Sequence, residues 1–368
     1  MARKQANANG ERKHPAGTGE LALIERIRRR AEAGPKSREL RLGIGDDCAI
    51  LRPRPGEETV VTTDFSLEGR HFRRDWHAPE AIGHRALARG LSDLAAMGAR
   101  PVAAFLSLAL PKSATEPAWV DGLLDGLLGL AGEASVPLAG GDTSEAPGEQ
   151  VLIDIVLLGA VPSGKALRRN SARPGDRIFV TGSLGGAAME LQTLAAMHDK
   201  PTRKSKRRET VVSPRPAILG KISQQAQEQG AHPHLFPAPR LAAGEALRRR
   251  GLATAAIDLS DGLSTDLRHL CEASGVAAVI QSAKLPLHPL LDGFAPEKSL
   301  SLALNGGEDY ELLFTVAADA RVPRKLGGVP LTEIGMMERP HAAQPLVTLM
   351  DADGARSELV PGGWEHLR

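Results

Sequence analysis

The sequence predicts a two-domain protein that mixes helices and strands in α+β or α/β order. The chain has 368 residues, which exceeds one typical hydrophobic core and favours two domains of roughly 150 residues each. Apolar residues make up 42% of the chain and charged residues 24%, as in ordinary globular proteins. Apolar runs typical of strands alternate along the chain with runs that have helical spacing.

The first half of the chain contains both kinds of run. We expect a polar, disordered tail over residues 1–19 and a helix in "ELALIERIRRRAE". A second helix begins at Pro79 and ends before Gly98, because proline is tolerated in a first turn and glycine commonly ends a helix. A third helix is predicted at "PAWVDGLLDGLLGLAGEA". Strands are predicted at "ETVVTTDFSLEG", "VAAFLSLAL", "VPLAGG" and "QVLIDIVLLGAV".

A segment rich in Gly, Pro and Arg, "GKALRRNSARPGD", predicts the boundary between two domains. We therefore expect an N-terminal domain over residues 20–162, a linker over 163–176 and a C-terminal α/β domain over 177–368. The second unit opens with a strand, a glycine turn and a helix. It continues through "LAAGEALRRRG", "ATAAIDLSDGLSTDLRHLCEASG", "VAAVIQ" and "SLALNGGEDYELLFTVAA".

Composition excludes several classes of function. The net charge of +2 provides no general attraction to nucleic acid or membrane. Cys48 and Cys271 are too few for a disulfide framework or a four-ligand zinc site. No apolar run reaches the length of about 18 residues that a membrane span requires, and the polar N-terminus lacks a secretory segment. We expect a cytoplasmic enzyme or binding protein with no membrane partner.

A basic insertion at about 199–213 interrupts the second domain. Six of the nine residues from Lys200 to Arg208 are basic, so an RNA-binding arm is one interpretation. No aromatic residue interleaves these charges, which favours a solvated surface loop over a nucleic-acid site.

Acidic motifs at the ends of apolar segments carry the chemistry that the sequence predicts. They are "GIGDD" (Asp46, Asp47), "TTD" (Thr62, Thr63, Asp64), "LSDLAAMGA" (Asp93), "GGDTS" (Asp142), "IDLSDGL" (Asp258, Ser260, Asp261) and "NGGEDYEL" (Glu308, Asp309, Glu311). Each motif alone could be a turn former, a helix cap or a polar helix face. Adjacent carboxylates at ~4 Å repel by about 1 kcal/mol in water and about 4 kcal/mol in a protein-like medium. Together, without a His or Cys cluster, the motifs predict several Mg²⁺ ions.

Two glycine-rich segments could bind phosphate. "GAVPSGKA" matches most of a Walker loop but ends in Ala166, where a hydroxyl is needed for Mg²⁺, so a working P-loop is disfavoured. "TGSLGGAA" follows a strand and opens a helix, so its amide groups could meet an anion, although a simple tight turn explains it equally well. There is no G-x-S-x-G, H-E-x-x-H or C-x-x-C motif, which counts against the hydrolase, peptidase and redox classes that those motifs signal.

Six motifs in this order resemble the thiamine-monophosphate kinase family of the aminoimidazole-ribonucleotide-synthetase-like superfamily, over about residues 20–365. They are "GIGDDCAIL", "TTDFSLEGRHF", "SDLAAMGA", "GGDTS", "AIDLSDGL" and "GGEDYELLF". The resemblance implies an N-terminal ATP- and Mg²⁺-binding domain whose β-sheet and helices pair in a homodimer, a C-terminal α/β domain, and a site in the cleft between them. It implies transfer of the γ-phosphoryl group of ATP to thiamine monophosphate, which yields thiamine diphosphate and ADP.

The resemblance also implies roles for individual residues. The Mg²⁺ ligands would be Asp47, Thr62, Thr63, Asp64, Asp93, Asp142, Asp258 and Asp261. The ATP contacts would be Gly141, Asp142, Arg169 and Ser260, and the acceptor contacts would be His71, Glu308 and, by a looser match, Trp364. The basic insertion and the residues around Arg169 depart from the family pattern.

The acceptor explains why no catalytic base is expected. A phosphate monoester has a second pKa of about 6, so its attacking oxygen is already ionised at pH 7. The barrier must then fall through positioning and neutralisation of charge. Two alternatives stay open: another ATP-dependent enzyme of the superfamily, or a metal- and nucleotide-binding regulator with a basic RNA-binding arm. Two superfamily branches use a cysteine near a chain end, and neither Cys48 nor Cys271 lies there.

Overall fold

A computed structural model describes residues 19–198 and 232–363 of the chain. Three predicted features lie outside these residues: all but the last residue of the tail over 1–19, the basic insertion at 199–213, and Trp364. No helix in the described part is long and apolar enough to cross a bilayer.

The N-terminal region contains three helices and six strands among the described residues. In chain order they are α1 (Glu20–Ala33), β1 (Leu40–Leu42), β2 (Ile50–Leu51), β3 (Glu57–Leu67), α2 (Pro79–Ala96), β4 (Arg100–Leu110), α3 (Pro117–Glu133), β5 (Leu138–Glu145) and β6 (Leu152–Pro162). The predicted helices and long strands of this region are confirmed, and the short pair β1 and β2 was not predicted.

The C-terminal region contains the remaining described elements. They are β7 (Arg177–Thr181), α4 (Gly186–His198), α5 (Leu241–Arg249), β8 (Ala253–Asp258), α6 (Leu263–Ser274), β9 (Ala277–Gln281), α7 (Pro296–Asn305), β10 (Leu312–Val316), β11 (Lys325–Leu326), β12 (Val329–Glu338), β13 (Val347–Met350) and β14 (Arg356–Glu358). Short 3₁₀ turns occur at Lys112–Ala114, Ser282–Lys284 and Pro289–Leu291.

The two regions are built on separate sheets, which confirms the predicted mixed fold with two domains. The N-terminal sheet has four strands in the order β3-β6-β4-β5, and only the β4–β5 pair is parallel. The C-terminal sheet has eight strands in the order β14-β13-β9-β12-β7-β10-β8, with β11 paired to β12. Its pairs are antiparallel except for β13 with β9.

Helices α2 and α3 cover one face of the N-terminal sheet and touch each other through their backbones. A Cβ atom added to Gly83 would lie 1.9 Å from the carbonyl oxygen of Leu123, and one added to Gly126 would lie 1.8 Å from that of Glu80. Only glycine permits this approach. Leu87 and Leu91 of α2 are fully buried, each stabilising the core by about 1.5–3 kcal/mol. This packing fixes the position of α2.

Helix α2 also contacts the C-terminal domain through α5. The backbone of Gly244 in α5 lies against Ala95, because an added Cβ would be 1.9 Å from the Ala95 carbonyl oxygen. Arg248 of α5 donates from Nε to the carbonyl of Gly98 at 2.7 Å. Ala95 shares a buried cluster with residues such as Phe314 from the C-terminal sheet. The two domains therefore meet along α2, beside the cleft described next.

Candidate active site

A cavity of about 210 Å³ lies between the two domains. The N-terminal domain contributes β3, the loop after it and α2, and the C-terminal domain contributes α4 and the loops that follow β8 and α7. The lining residues are Asp64, Arg70, His71, Arg89, Asp93, Leu191, Asp258, Ser260, Asp261, Gly306, Gly307, Glu308 and Tyr310. Seven of these were predicted as site residues: Asp64, His71, Asp93, Asp258, Ser260, Asp261 and Glu308.

Carboxylates from both domains converge at one end of this cavity. Asp64 lies on β3 and Asp93 on α2, whereas Asp258 ends β8 and Asp261 lies in the loop after it. Thr62 Oγ1 donates a hydrogen bond to Asp93 Oδ2, and Ser92 Oγ donates one to Asp258 Oδ2 at 2.7 Å. Hydroxyl groups of the N-terminal domain therefore orient acids on both sides of the cleft.

Asp93 and Asp258 lie close enough to repel each other. Burial first, and then the charge of Asp93, raises the pKa of Asp258 to about 7. Burial also raises the pKa of Asp93, and the nearby charge of Asp64 adds to this rise. Arg169 opposes both shifts but does not line the cavity. Crowded, partly buried carboxylates of this kind favour a cation between them.

The donor set fits Mg²⁺ better than it fits a closed metal cage. Within residues 19–198 and 232–363, no three His, Cys, Asp or Glu side chains surround one point that could hold a metal ion. Magnesium is usually held by one or two carboxylates, with water and substrate phosphates completing its shell. The carboxylate and hydroxyl oxygens at this end of the cleft are ligands of the required chemistry.

Arginine and glutamate also line the cleft, beside Asp64. Arg89 donates to Asp64 Oδ1 from Nε at 3.0 Å and from Nη2 at 2.7 Å. The same guanidinium lies 3.7 Å, from Nη1, from Glu308 Oε1. Arg70 and His71 lie beside them. The cleft therefore offers cationic groups suited to an anionic reactant, next to the carboxylates of Asp64 and Glu308.

The Glu308 carboxylate is ionised despite its burial. Burial alone would raise its pKa, but Arg85, followed by His234 and Arg89, lowers the pKa of Glu308 far below its ordinary range. Arg85 Nη2 donates to Oε1 at 2.9 Å. Glu308 itself has a left-handed backbone, with φ of 58°. Non-glycine residues in this conformation carry strain that their surroundings must hold in place.

The loops after β8 and α7 are pinned to each other by backbone hydrogen bonds. The N–H of Glu308 donates to the carbonyl of Ser260 at 2.8 Å, and that of Tyr310 donates to Leu259 at 2.9 Å. Gly307 allows this approach, since an added Cβ would lie 2.8 Å from the Ser260 carbonyl oxygen. The loops that carry Ser260 and Glu308 are thus joined directly through their backbones.

Asp309 of the "NGGEDYEL" motif and Asp266, which follows "IDLSDGL", accept hydrogen bonds from the backbone and do not line the cavity. Asp266 Oδ2 accepts hydrogen bonds from the N–H groups of Ser260, Asp261 and Gly262, at 3.0–3.1 Å. Asp309 accepts from the N–H groups at the start of α4, including that of Gly185 at 2.8 Å. The glycine turn at 181–188 therefore does meet an acidic group, the carboxyl of Asp309, whose pKa burial raises to about 7.

Other predicted site residues lie apart from this cavity. Asp142 is on β5, the edge strand opposite β3, so by strand spacing it lies roughly 14 Å from Asp64. The loop that carries Asp47 packs beside β5, where Gly43 lies against Ala139. Gly141 is on β5 with Asp142. The structure thus places Asp47, Gly141 and Asp142 at a second acidic edge.

Strand alternation separates the two threonines of the "TTD" motif. Thr62 and Asp64 point towards α2, whereas Thr63 lies on the opposite, exposed face of β3. Arg89 was not predicted, yet it lies four residues before Asp93 and four after Arg85 in α2. Residues four apart share one helix face. That spacing is the signal that could have identified both arginines.

Comparisons with known proteins agree with this arrangement. Family models described as AIR synthase related protein, N-terminal domain and C-terminal domain, match residues 45–161 and 173–342. Thiamine-monophosphate kinase of Escherichia coli (strain K12) is 40% identical over 328 residues, 87% of this chain and 90% of that protein. The thiamine-monophosphate kinase structure from Stenotrophomonas maltophilia K279a is 35% identical, with a TM-score of 0.72, over 93% of this chain and 98% of that chain.

A second solved structure is described with ligands. AaThiL complexed with AMPPCP and TMP is 31% identical to this chain, with a TM-score of 0.67. The match covers 95% of this chain and 97% of that chain. Both domains and the cleft between them fall inside the matched length.

Proposed function

The chain belongs to the thiamine-monophosphate kinases of the AIR synthase related family, and we propose that its cleft transfers the terminal phosphoryl group of ATP directly to thiamine monophosphate with Mg²⁺. One observation carries this proposal: four carboxylates from two domains line one cleft together with two arginines, one of which contacts Asp64. AaThiL complexed with AMPPCP and TMP supports an ATP analogue and TMP as occupants.

The site needs to neutralise charge more than it needs to activate a nucleophile. Asp64, Asp93, Asp258 and Asp261 would hold Mg²⁺ in this cleft. When bound, the metal supplies positive charge between two phosphate-bearing reactants. The acceptor oxygen is ionised at pH 7 without a base. Arg70 and Arg89 would bind phosphate oxygens and help to orient the reactants in line.

The remaining residue roles belong to the same proposal. Asp47 and Asp142 would hold Mg²⁺ at the second acidic edge, where Gly141 and Asp142 would contact ATP. Thr62 would be a metal ligand beside Asp93, and Thr63 would be one on the exposed face of β3. Ser260 would contact ATP in the cleft, and Arg169 would do so from outside it. His71 and Glu308 would contact the acceptor. Trp364, which lies outside the described residues, is the third acceptor contact that we propose.

We also propose that the chain pairs as a homodimer through the open face of the N-terminal sheet. Val61 and Phe65 of β3 are each 61% exposed, on the face that α2 and α3 leave uncovered. β3 is also an edge strand of that sheet. Large exposed apolar side chains on a sheet face are typical of a protein interface.

Incubation of the protein with ATP, Mg²⁺ and thiamine monophosphate tests the function. We expect ADP and thiamine diphosphate in equal amounts, and no product after chelation of the metal. Formation of ADP without thiamine diphosphate would point to another ATP-dependent enzyme of the superfamily. RNA binding that weakens with salt, without turnover, would point to the regulator.

A further inference from the structure

The Glu308 carboxylate is held by a buried network that the proposed chemistry does not use. Arg85 Nη2 donates to Oε1 at 2.9 Å, and His234 Nδ1 lies 3.1 Å from Oε2. Arg85 and His234 are 3% and 1% exposed, so water does not reach these groups freely. Arg85 also donates to the carbonyl oxygens of His234 and His71. One guanidinium therefore joins three segments around Glu308.

A second imidazole lies behind His234. His77 Nε2 is 3.0 Å from His234 Nε2. His77 Nδ1 lies 3.2 Å from the Arg73 amide nitrogen and 3.0 Å from the Arg73 carbonyl oxygen. Two ring nitrogens at this distance share one proton, so one ring donates and the other accepts. Burial, then the charge of Arg85, lowers the pKa of both histidines, that of His77 to about 3. This lowering of the pKa favours the neutral form of both rings, in which each has one N–H.

Two proton arrangements satisfy the His77–His234 contact, and Glu308 distinguishes them. If His234 Nδ1 carried no proton, its lone pair would face an ionised carboxylate oxygen at 3.1 Å. That contact is less favourable than the contact of His77 Nδ1 with the neutral Arg73 carbonyl, because the carboxylate carries a full charge. Arg85 Nη1 also lies 3.1 Å from His234 Nδ1, but Arg85 has other acceptors in the Glu308 carboxylate and the carbonyl groups of His234 and His71. The favoured arrangement places the proton on His234 Nδ1, so His77 Nε2 donates to His234.

We infer that His77 and His234 form a one-directional chain of hydrogen bonds that, with Arg85, positions Glu308 for the phosphate acceptor. Donors run from the Arg73 amide to His77, from His77 to His234, and from His234 to Glu308. The inference extends the proposed function, since it assumes that Glu308 contacts the acceptor. His77, His234 and Arg85 are positioning residues because they act through Glu308.

The chain of hydrogen bonds to Glu308 has a consequence for the choice of acceptor. Donors on both oxygens keep Glu308 anionic and stop its carboxylate from rotating, while 23% of its side chain stays exposed. Thiamine monophosphate carries a cationic thiazolium ring beside its phosphate, and a fixed anion in the cleft favours such a cation. Loss of these hydrogen bonds should therefore weaken acceptor binding more than ATP binding.

Steady-state kinetics test this inference with a matched control. In His234→Phe we expect the KM for thiamine monophosphate to rise about tenfold or more, because a hydrogen bond to a charged group is lost. The KM for ATP should change less than about twofold. His234→Asn, whose amide nitrogen can take the place of Nδ1, should recover most of the acceptor affinity.

His84 provides the control for a purely structural effect. Its Nε2 lies 2.8 Å from the Pro237 carbonyl oxygen, and its ring contacts Phe236 edge-on, so it supports the same segment as His234. It makes no contact with Glu308 among the described interactions. His84→Phe should leave both KM values unchanged. An equal effect in His84→Phe, an equal rise in the KM for ATP, or an unchanged acceptor KM in His234→Phe would overturn the inference.

Nitrogen-15 NMR of labelled histidines in the free protein tests the chain of hydrogen bonds without any substrate. From about pH 6 to pH 8 we expect both rings neutral, with protons on His234 Nδ1 and His77 Nε2, assigned through the His77→Gln and His234→Asn variants. A charged ring at pH 7, or a proton on His234 Nε2, would contradict it. If the protein made no thiamine diphosphate, the proposed function would fail. The spectra would still show whether the hydrogen bonds run from His77 to His234 to Glu308.

Discussion

Ser92 Oγ of α2 donates a 2.7 Å hydrogen bond to Asp258 Oδ2 at the end of β8. Ser92 is fully buried, and Asp258 is 7% exposed. This contact joins the N-terminal domain to the C-terminal domain through an ionisable group of the cleft. Two domains therefore meet at the acid for which we propose a metal-binding role.

Removal of the Ser92 hydroxyl should destabilise this junction. Ser92→Ala leaves a buried carboxylate with one donor fewer, at a cost of about 1–3 kcal/mol. We expect the thermal midpoint in metal-free buffer at pH 7.5 to fall by several degrees. Ser299→Ala is the control, since Ser299 is buried but its Oγ makes only a 3.4 Å contact with Leu291, away from the cleft. Equal midpoints in the two variants would contradict this role for Ser92.

Asp258 should make the metal-free protein less stable as pH rises. Its folded pKa is raised to about 7, chiefly by burial, whereas an unfolded Asp titrates near 4. Between these values the folded state binds the extra proton, so stability falls with rising pH. Asp258→Asn removes this penalty, and we expect its thermal midpoint to exceed that of the parent by roughly a few degrees at pH 8. The difference should shrink as the pH falls and vanish below about pH 4, the unfolded pKa, and a constant difference would exclude this titration.

Phe65 should control association of the chain. Phe65→Asp places a charge on the open face of the N-terminal sheet, which we propose as the dimer surface. Sedimentation should show two chains for the parent and one for the variant. Leu21→Asp is the control, because Leu21 is 82% exposed on α1, away from this face, and should leave the dimer intact. A monomeric parent, or a dimeric Phe65→Asp protein, would refute the proposed surface.

Substitution of Asp142 should weaken the binding of ATP and leave the binding of the acceptor unchanged. It lies at the sheet edge opposite Asp64, so one metal ion cannot bridge the two carboxylates. We expect Asp142→Asn to raise the KM for ATP about tenfold with little change in the acceptor KM. Glu145→Gln on the same strand is the control, since Glu145 is exposed and pairs only loosely with Lys112, at 3.5 Å. No change in the ATP KM of Asp142→Asn would remove Asp142 from the nucleotide site.

Local sequence signals predicted individual elements and several of the cleft acids. Pro79 and Gly98 correctly bounded α2, and Asp258 and Asp64, which the ends of apolar segments indicated as metal ligands, line the cleft. Strand order could not be predicted, because β7 pairs with β10 and β12, more than 100 residues away, and apolar runs do not specify their partners.

The supporting network of the cleft was invisible in the sequence for the same reason. Arg85 and His234 are 149 residues apart, and nothing local marks them as neighbours. Asp309 resembled a site residue because its motif does, yet it accepts hydrogen bonds at the start of α4. Acids that line a site and acids that cap backbone have the same local pattern, and only their three-dimensional partners distinguish them.

The most direct test of the account is phosphoryl transfer at limiting Mg²⁺ by Asp64→Asn and Asp258→Asn, compared with the parent protein. Each variant keeps the shape of its side chain and loses the charge that would hold the metal. We predict that thiamine diphosphate formation falls at least about a thousandfold in both folded variants. Near-parental rates in either folded variant at limiting Mg²⁺ would contradict the claim that these carboxylates hold the ions between the two reactants.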